Sequence, residues 1–249
     1  MGDFDYDRHG ANYTQHRQPD PTLAAMILGR LGGARTVLNV GAGAGSYEPL
    51  DRYVVAVEPS AVMRSQRPPH LPPAVDATAQ ALPFDDDSFD AAMASATIHQ
   101  WGEGVTQGLH ELRRVARGPV VILTFDDAAL NHFWITDYVP EFLAAERARL
   151  QPIDWVCEQL GGRCSVDVVP IPFDCTDGFM EAFYGRPEMF LEESVRRSQS
   201  AWGFVGDGVE ARAVARLRAD LESGEWDRRY GHLRTQPTYT GTPTLIVSE

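Results

Sequence analysis

Cysteine is scarce in this chain. Its three residues, Cys157, Cys164 and Cys175, are an odd count without C-x-x-C spacing. Such a set argues against a metal site or a disulfide framework, and the expectation is buried or free thiols in a reducing compartment. Basic residues are outnumbered, 22 Lys and Arg against 35 Asp and Glu, for a formal net charge of −13. No basic stripe with interleaved aromatics offsets that balance, so nucleic acid and anionic membrane are not expected partners. There is no apolar run of roughly eighteen residues to span a bilayer. The N-terminus, Met1-Gly-Asp-Phe-Asp-Tyr-Asp-Arg8, lacks the basic start and apolar core of a secretion signal. A soluble, cytoplasmic protein is expected. Internal repeats and low-complexity tracts are also missing. What is present, 249 residues with 43% apolar side chains, suffices for one large α/β domain or a domain with an inserted cap.

Chemistry is most legible in Thr36-Val-Leu-Asn-Val-Gly41-Ala-Gly43-Ala-Gly45-Ser46, where a short apolar run breaks into alternating glycines. A second run, Val54-Val-Ala-Val-Glu58, ends in an acid. A buried strand would deliver the glycines to its carboxyl end, where a missing Cβ allows close approach of a ligand. A carboxylate at the tip of the next strand can accept both hydroxyls of a ribose. A dinucleotide fingerprint would place its third glycine where Ser46 stands, which weakens the pyrophosphate reading.

The Gly41-x-Gly43-x-Gly45 turn resembles motif I of the class I S-adenosylmethionine-dependent methyltransferases, with Glu58 where that family has its ribose-binding acid. Thr78-Ala-Gln-Ala-Leu-Pro-Phe-Asp-Asp-Asp-Ser-Phe-Asp90 resembles the family's Asp-Ala-x-x-Leu-Pro-Phe-x-x-x-Ser-Phe-Asp segment, departing from it at Thr78. Ala92-Met-Ala-Ser-Ala-Thr-Ile-His-Gln-Trp101 is similar to its fourth strand, and Glu111 to Gly118 with Val120 to Phe125 to the following helix and strand. The resemblance covers residues 35–126. It implies S-adenosylmethionine as cofactor and no metal. It further implies a cofactor site of Gly41, Ala42, Gly43, Glu58, Pro59, Thr78, Ala79, Gln80, Ala94 and Ser95. An N-terminal Tyr13-x-x-x-Arg17 would close over that site, unless the segment is only a mobile acidic arm. Glu111 and Arg114, three apart, read as a solvated helix ion pair.

The resemblance also implies a Rossmann-like seven-stranded, mostly parallel α/β sheet with helices on both faces. Asp20-Pro21 caps a helix that stops at Gly32-Gly33, and Ser60 caps another. Residues 67–73 are an extended proline-rich connection, and the third strand falls at Val75–Ala77. The expected divisions are an N-terminal arm and helix (1–34), a cofactor-binding core (35–126), a remaining core strand with a helical acceptor cap (127–235) and a terminal strand (236–249). A long helical insertion thus splits the final hairpin before the last strand. Its aromatics are mostly core, with some facing the acceptor.

Methyl transfer from a sulfonium is an in-line displacement governed by positioning, worth roughly 7–11 kcal/mol in favourable cases. His99, following the fourth-strand segment, is the candidate general base. Trp101, Asp174, Asp177, Phe179 and Tyr184 are candidate acceptor contacts. The expected acceptor is a small, aromatic, possibly indole-like natural-product intermediate. Alternatives are a cofactor-binding protein without transfer and a nicotinamide-dependent reductase.

Overall fold

The computed structural model describes residues 13–249. Its strands are β1 (Thr36–Val40), β2 (Tyr53–Val57), β3 (Ala91–Ser95), β4 (Val120–Phe125), β5 (Cys164–Val168), β6 (Ile171–Pro172), β7 (Thr238–Tyr239) and β8 (Pro243–Ser248). Six of them form the central sheet in the order β2-β1-β3-β4-β8-β5, while β6 and β7 pair separately. The first four run parallel, and β8 is antiparallel to both β4 and β5. Successive residues of β3 and β4 are buried on both faces, as strands covered by helices on either side must be.

Among the described residues the sheet has six strands where seven are expected. The missing one is reduced to a single parallel bridge between Val57 and Val75. There the Glu58 N–H donates to the Val75 carbonyl at 3.0 Å and the Val75 N–H to the Ala56 carbonyl at 2.8 Å. Pro72 and Pro73 stand just before Ala74 and Val75 and have no N–H to extend the ladder.

Nine helices are described: α1 (Tyr13–His16), α2 (Pro21–Arg30), α3 (Ala61–Ser65), α4 (Val105–Val115), α5 (Glu141–Arg147), α6 (Ile153–Leu160), α7 (Glu193–Arg197), α8 (Val209–Glu222) and α9 (Glu225–Tyr230). Asp20 Oδ1 accepts from the Thr22 and Leu23 N–H groups at 2.9 and 3.2 Å, with Pro21 at the first helical position. Ser60 Oγ caps α3 by accepting from the Met63 N–H at 3.2 Å.

The alternation of each strand sorts its side chains between two cores. Leu38, Ala92, Ile122 and Ile246 meet Leu109 and Leu112 of α4 and Val156 and Leu160 of α6. On the other face Val37, Met93, Val121 and Leu245 meet Leu23 and Ile27 of α2. That second cluster continues without a break into Phe133, Trp134, Phe142, Phe190 and Trp226. The segment after β4 and the insertion between β6 and β7 therefore share the sheet's own core. Much of the insertion is short 3-10 turns, at Met180–Phe183, Pro187–Leu191 and Ser200–Phe204. Gly178, Gly185 and Pro187 interrupt the chain around the first two of these turns, and Gly203, Gly206 and Gly208 around the third.

One expectation is corrected here. Cys157 on α6 and Cys164 on β5 form a disulfide, with their Cα atoms 5.8 Å apart. Gly161 and Gly162 sit between them with φ of 66° and 69°, turning the chain sharply enough to bring helix end and strand start together. Cys175 is the free thiol and is buried. Among the described residues no helix is long and apolar enough to cross a membrane.

Candidate active site

From β1 the chain steps outward to β2 and then crosses to β3 on the opposite side of β1. The strand order reverses there, and a crevice opens outside the carboxyl ends of β1 and β3. Val40 and Val57 pair in register, so Gly41 and Glu58 leave the sheet side by side. The Ala42 N–H closes the turn on the Val57 carbonyl at 3.0 Å. Glu58 Oε2 accepts from the Gly43 N–H and Oε1 from the Ser60 N–H, both at 2.8 Å. The carboxylate is thus braced between the glycine turn and the start of α3. Burial raises its pKa, against the pull of those two N–H groups, Arg64 and Arg67.

Gly41 has φ of 67°, and a Cβ there would collide with the Thr97 side chain just after β3. This glycine is required by the protein's own packing as well as by any ligand. A further brace was not visible in sequence. Arg67, from the proline-rich connection, forms a two-pronged pair with Glu48 at 2.9 and 2.8 Å. Glu48 also accepts from Asn39 Nδ2 at 3.1 Å. Both charged side chains are almost wholly enclosed, and they tie residues 39, 48 and 67 into one support for the glycine loop.

Thr78 is exposed and Ala79 buried, while Gln80 Nε2 donates to the Trp101 carbonyl at 3.3 Å. The Glu111–Arg114 pair is more than a solvated helix contact. Glu111 Oε2 accepts from the Leu82 N–H at 3.0 Å, and Arg114 donates to the Leu82 and Phe84 carbonyls at 3.2 and 2.8 Å. Together they clamp the 82–86 loop. At the end of β3, Ala94 is fully buried and Ser95 leads into Ala96, whose φ is 52°. Among the described residues the Ser95 hydroxyl, His99 Nδ1 and both amide atoms of Gln100 are buried without a hydrogen-bond partner. Unsatisfied polar atoms gathered at one strand end mark a place that a polar ligand completes. They fit a nucleoside-type cofactor with a polar amino-acid tail, as do the glycine turn and Glu58.

Beside this crevice lies a cavity enclosing about 660 Å³ including its open mouth. Ala96 and His99 line it from the β3 end, Phe125 from the β4 end, and Phe179, Met180, Glu181 and Gln199 to Ala201 from the insertion. Arg17, Leu130, Glu146, Leu150 and Thr242 complete the wall. The Phe125 ring packs against His99 at 5.8 Å and Phe179 at 6.0 Å between centroids. Burial, reinforced by the charges of Arg149 and Arg17, pushes His99 down to about 3. The imidazole is therefore neutral near pH 7 and weakly basic. Burial raises Glu146, which pairs with Arg149 at 2.9 Å. Glu181 is pushed by burial up to about 7, although its Oε2 accepts from the Thr242 N–H at 2.9 Å and from the Thr242 hydroxyl.

Of the residues expected to meet the acceptor, Phe179 lines this cavity and the other four do not. Asp177 is buried in an ion pair with Arg17 and accepts from the Tyr47 hydroxyl at 2.8 Å. Tyr184 is fully buried, stacked on Tyr239 at 5.1 Å, with its hydroxyl donating to the Gln236 carbonyl at 2.6 Å. Asp174 is exposed. Trp101 packs on the opposite face of the sheet, where a Cβ at Gly108 would strike both it and Ala79. Pro59 is exposed beside Glu58, its carbonyl accepting from Arg64 at 2.7 Å. Arg17 is brought to the cavity, whereas the side chain of Tyr13 lies outside the described part. Glu181, Glu146 and Gln199 were missed because no local pattern distinguishes them from surface polar residues.

A parallel sheet with a ligand crevice at its switch point and a glycine turn answered by an acid defines a Rossmann-like, nucleoside-cofactor-binding α/β protein. The comparisons narrow that class. A methyltransferase-domain family model matches residues 38–124. A protein from Anabaena variabilis, assigned as a methyltransferase of an antibiotic biosynthesis pathway, is similar over 94% of this chain and 99% of its own, with 29% identity and a TM-score of 0.86. A geranyl diphosphate C-methyltransferase from Streptomyces coelicolor, crystallised with S-adenosylhomocysteine, shares the fold at 12% identity and a TM-score of 0.51, over 91% and 78% of the two chains. The [4+2]-cyclase SpnF shares it at 15% identity and a TM-score of 0.54, over 97% and 92%. No curated protein matches. Residues 38–124 thus form a methyltransferase domain, and the chain has the fold of the class I S-adenosylmethionine-dependent methyltransferases.

Proposed function

We propose that this methyltransferase acts on a small aromatic acceptor, an indole-like natural-product intermediate being the model, held in the cavity beside the β3 end. The observation that carries this reading is the ring wall of Phe125 and Phe179 around His99, adjoining the strand end where Ser95 and Gln100 lack partners. In this reading the Gly41–Ala42–Gly43 turn and Glu58 with Pro59 receive the nucleoside. Thr78, Ala79 and Gln80 face its base, and Ala94, Ser95 and Arg17 its amino-acid part. S-adenosylmethionine supplies, when bound, a sulfonium methyl group open to in-line attack. The protein contributes orientation, and exclusion of water by the apolar part of the wall around Phe125, Leu130, Leu150 and Phe179. His99, as a neutral imidazole, offers the acceptor a hydrogen bond and is a weak proton acceptor. The similar Anabaena protein, with its antibiotic-pathway assignment, supports a place in secondary metabolism.

A second reading, cofactor binding without transfer, stands beside it because the same fold occurs in a protein described as a cyclase. Two measurements decide. Calorimetric titration should show S-adenosylhomocysteine binding tightly and NADH not. Glu58→Ala should weaken S-adenosylhomocysteine by roughly 1–3 kcal/mol, because ribose hydroxyls and the Gly43 and Ser60 N–H groups all lose an acceptor. Mass-spectrometric screening of aromatic acceptors should then yield methylated product. A preference for NADH, or an unchanged Glu58→Ala affinity, would overturn the cofactor assignment to these residues. Cofactor binding with no methylated product across the panel would leave the second reading.

A further inference from the structure

Three acids and bases of the cavity wall are already neutral or paired. Arg17 is bridged to Asp177, Glu146 to Arg149, and His99 is uncharged near pH 7. Glu181 differs from them. It is 2% exposed, no cation pairs with it among the described residues, and both bonds from Thr242 fall on Oε2. Oε1 is buried without a partner among the described residues, lying against Gly241, where any Cβ would occupy its place. A glycine and a threonine from the terminal segment thus seat a carboxyl group in the wall of the cavity and leave half of its accepting capacity unused. Burying such a group costs free energy unless a donor completes it, and a charged donor completes it best.

We propose that Glu181 is the acceptor-recognition carboxylate of this site, and that the acceptor carries a protonated amine which pairs with it. The inference rests on the cavity being the acceptor site, and it adds a substrate class: aromatic amines ahead of neutral aromatics. Phe125 and Phe179 take the ring, and Glu181 takes the ammonium group. The pairing sets affinity and orientation without requiring Glu181 to touch the transferred methyl.

The test uses matched probes, namely tryptamine, tryptophol and 3-ethylindole, titrated calorimetrically into the full chain with and without S-adenosylhomocysteine. Tryptamine should bind the wild type at least about tenfold more tightly than either neutral probe, as a charge-assisted bond predicts. In Glu181→Gln that advantage should fall to within about threefold while S-adenosylhomocysteine affinity is retained, which also shows that the variant is folded. Equal binding of the three probes by the wild type, no binding of tryptamine, or an undiminished tryptamine advantage in Glu181→Gln would each overturn the proposal. Failure of the wild type to bind S-adenosylhomocysteine would count against the cofactor assignment alone, because the comparison made without it still decides the role of Glu181.

Discussion

His99 and Glu181 line the same cavity and are displaced in opposite directions, each toward its neutral form. Glu181 rises from 4.5 to about 7 through burial. Its contribution to stability is complete below pH 4.5 and is lost as pH climbs through 7, where the folded state must hold a buried charge. His99 falls from 6.5 to about 3, so its contribution is present above pH 6.5 and is lost as pH drops toward 3. The groups that face Glu181 are Thr242 and Tyr239, with Arg17, His99, Glu146 and Arg149 around the cavity. Tyr239 is itself raised, first by burial and then by the Glu181 charge. Replacing Glu181 by Gln removes the alkaline loss, worth up to about 3 kcal/mol. Thermal melts should show the variant gaining several degrees over the wild type at pH 8 and nothing at pH 4.5. Parallel melting curves at both pH values would show that Glu181 is not held neutral by the fold. None of this was readable locally. Phe179-Met-Glu-Ala-Phe183 has the pattern of a helix with one polar position, and Glu181 is buried only because Gly241 and Thr242, some sixty residues later, close over it.

Elements, by contrast, were legible wherever local signals and the sheet agreed. The run into Gly41, the acid at Glu58 and the Asp20 cap each encode an element boundary in a few adjacent residues, and the structure places them there. The third strand failed because two prolines left only Val75 to pair. The disulfide failed because Cys spacing says nothing about a chain reversal made by two left-handed glycines. That bridge joins α6 to β5, the outermost strand of the sheet. Closing so short a loop is worth roughly 2–3 kcal/mol in the chain-entropy picture. Cys164→Ser, or reduction of the wild type, should lower the denaturant midpoint by a corresponding amount and loosen the β5 edge first. Hydrogen exchange would register early exposure at residues 164–168. If the reduced and oxidised proteins unfold at the same midpoint, the bridge contributes nothing to the folded state.

At the scale of the whole molecule, two distant stretches converge on Asp177. Arg17 pairs with it from beyond α1, and Tyr47 donates to it from the glycine loop at 2.8 Å. The backbone joins in as well. Arg17 and Asp177 form an antiparallel bridge, and the Gly178 N–H donates to the His16 carbonyl at 2.8 Å. Tyr47 holds φ at 63°, a costly conformation for a bulky residue, and Asp177 is one of the contacts that keep it there. The opening of the insertion, the N-terminal segment and the cofactor loop are therefore one joint, so a ligand that orders the loop should tighten the insertion too. Asp177→Asn keeps the size and the backbone bridge but removes the charge from a nearly enclosed pair, a loss of about 3–5 kcal/mol when such a pair is broken outright and less where an amide still hydrogen-bonds. The expected outcome is weaker S-adenosylhomocysteine binding, together with faster hydrogen exchange at residues 42–48 and 173–180. Addition of S-adenosylhomocysteine should restore protection to both stretches in the wild type, and to neither fully in the variant. Loosening confined to residues 173–180, with the loop and the cofactor affinity untouched, would show that Asp177 serves the insertion alone and that the two sites are built side by side without being joined.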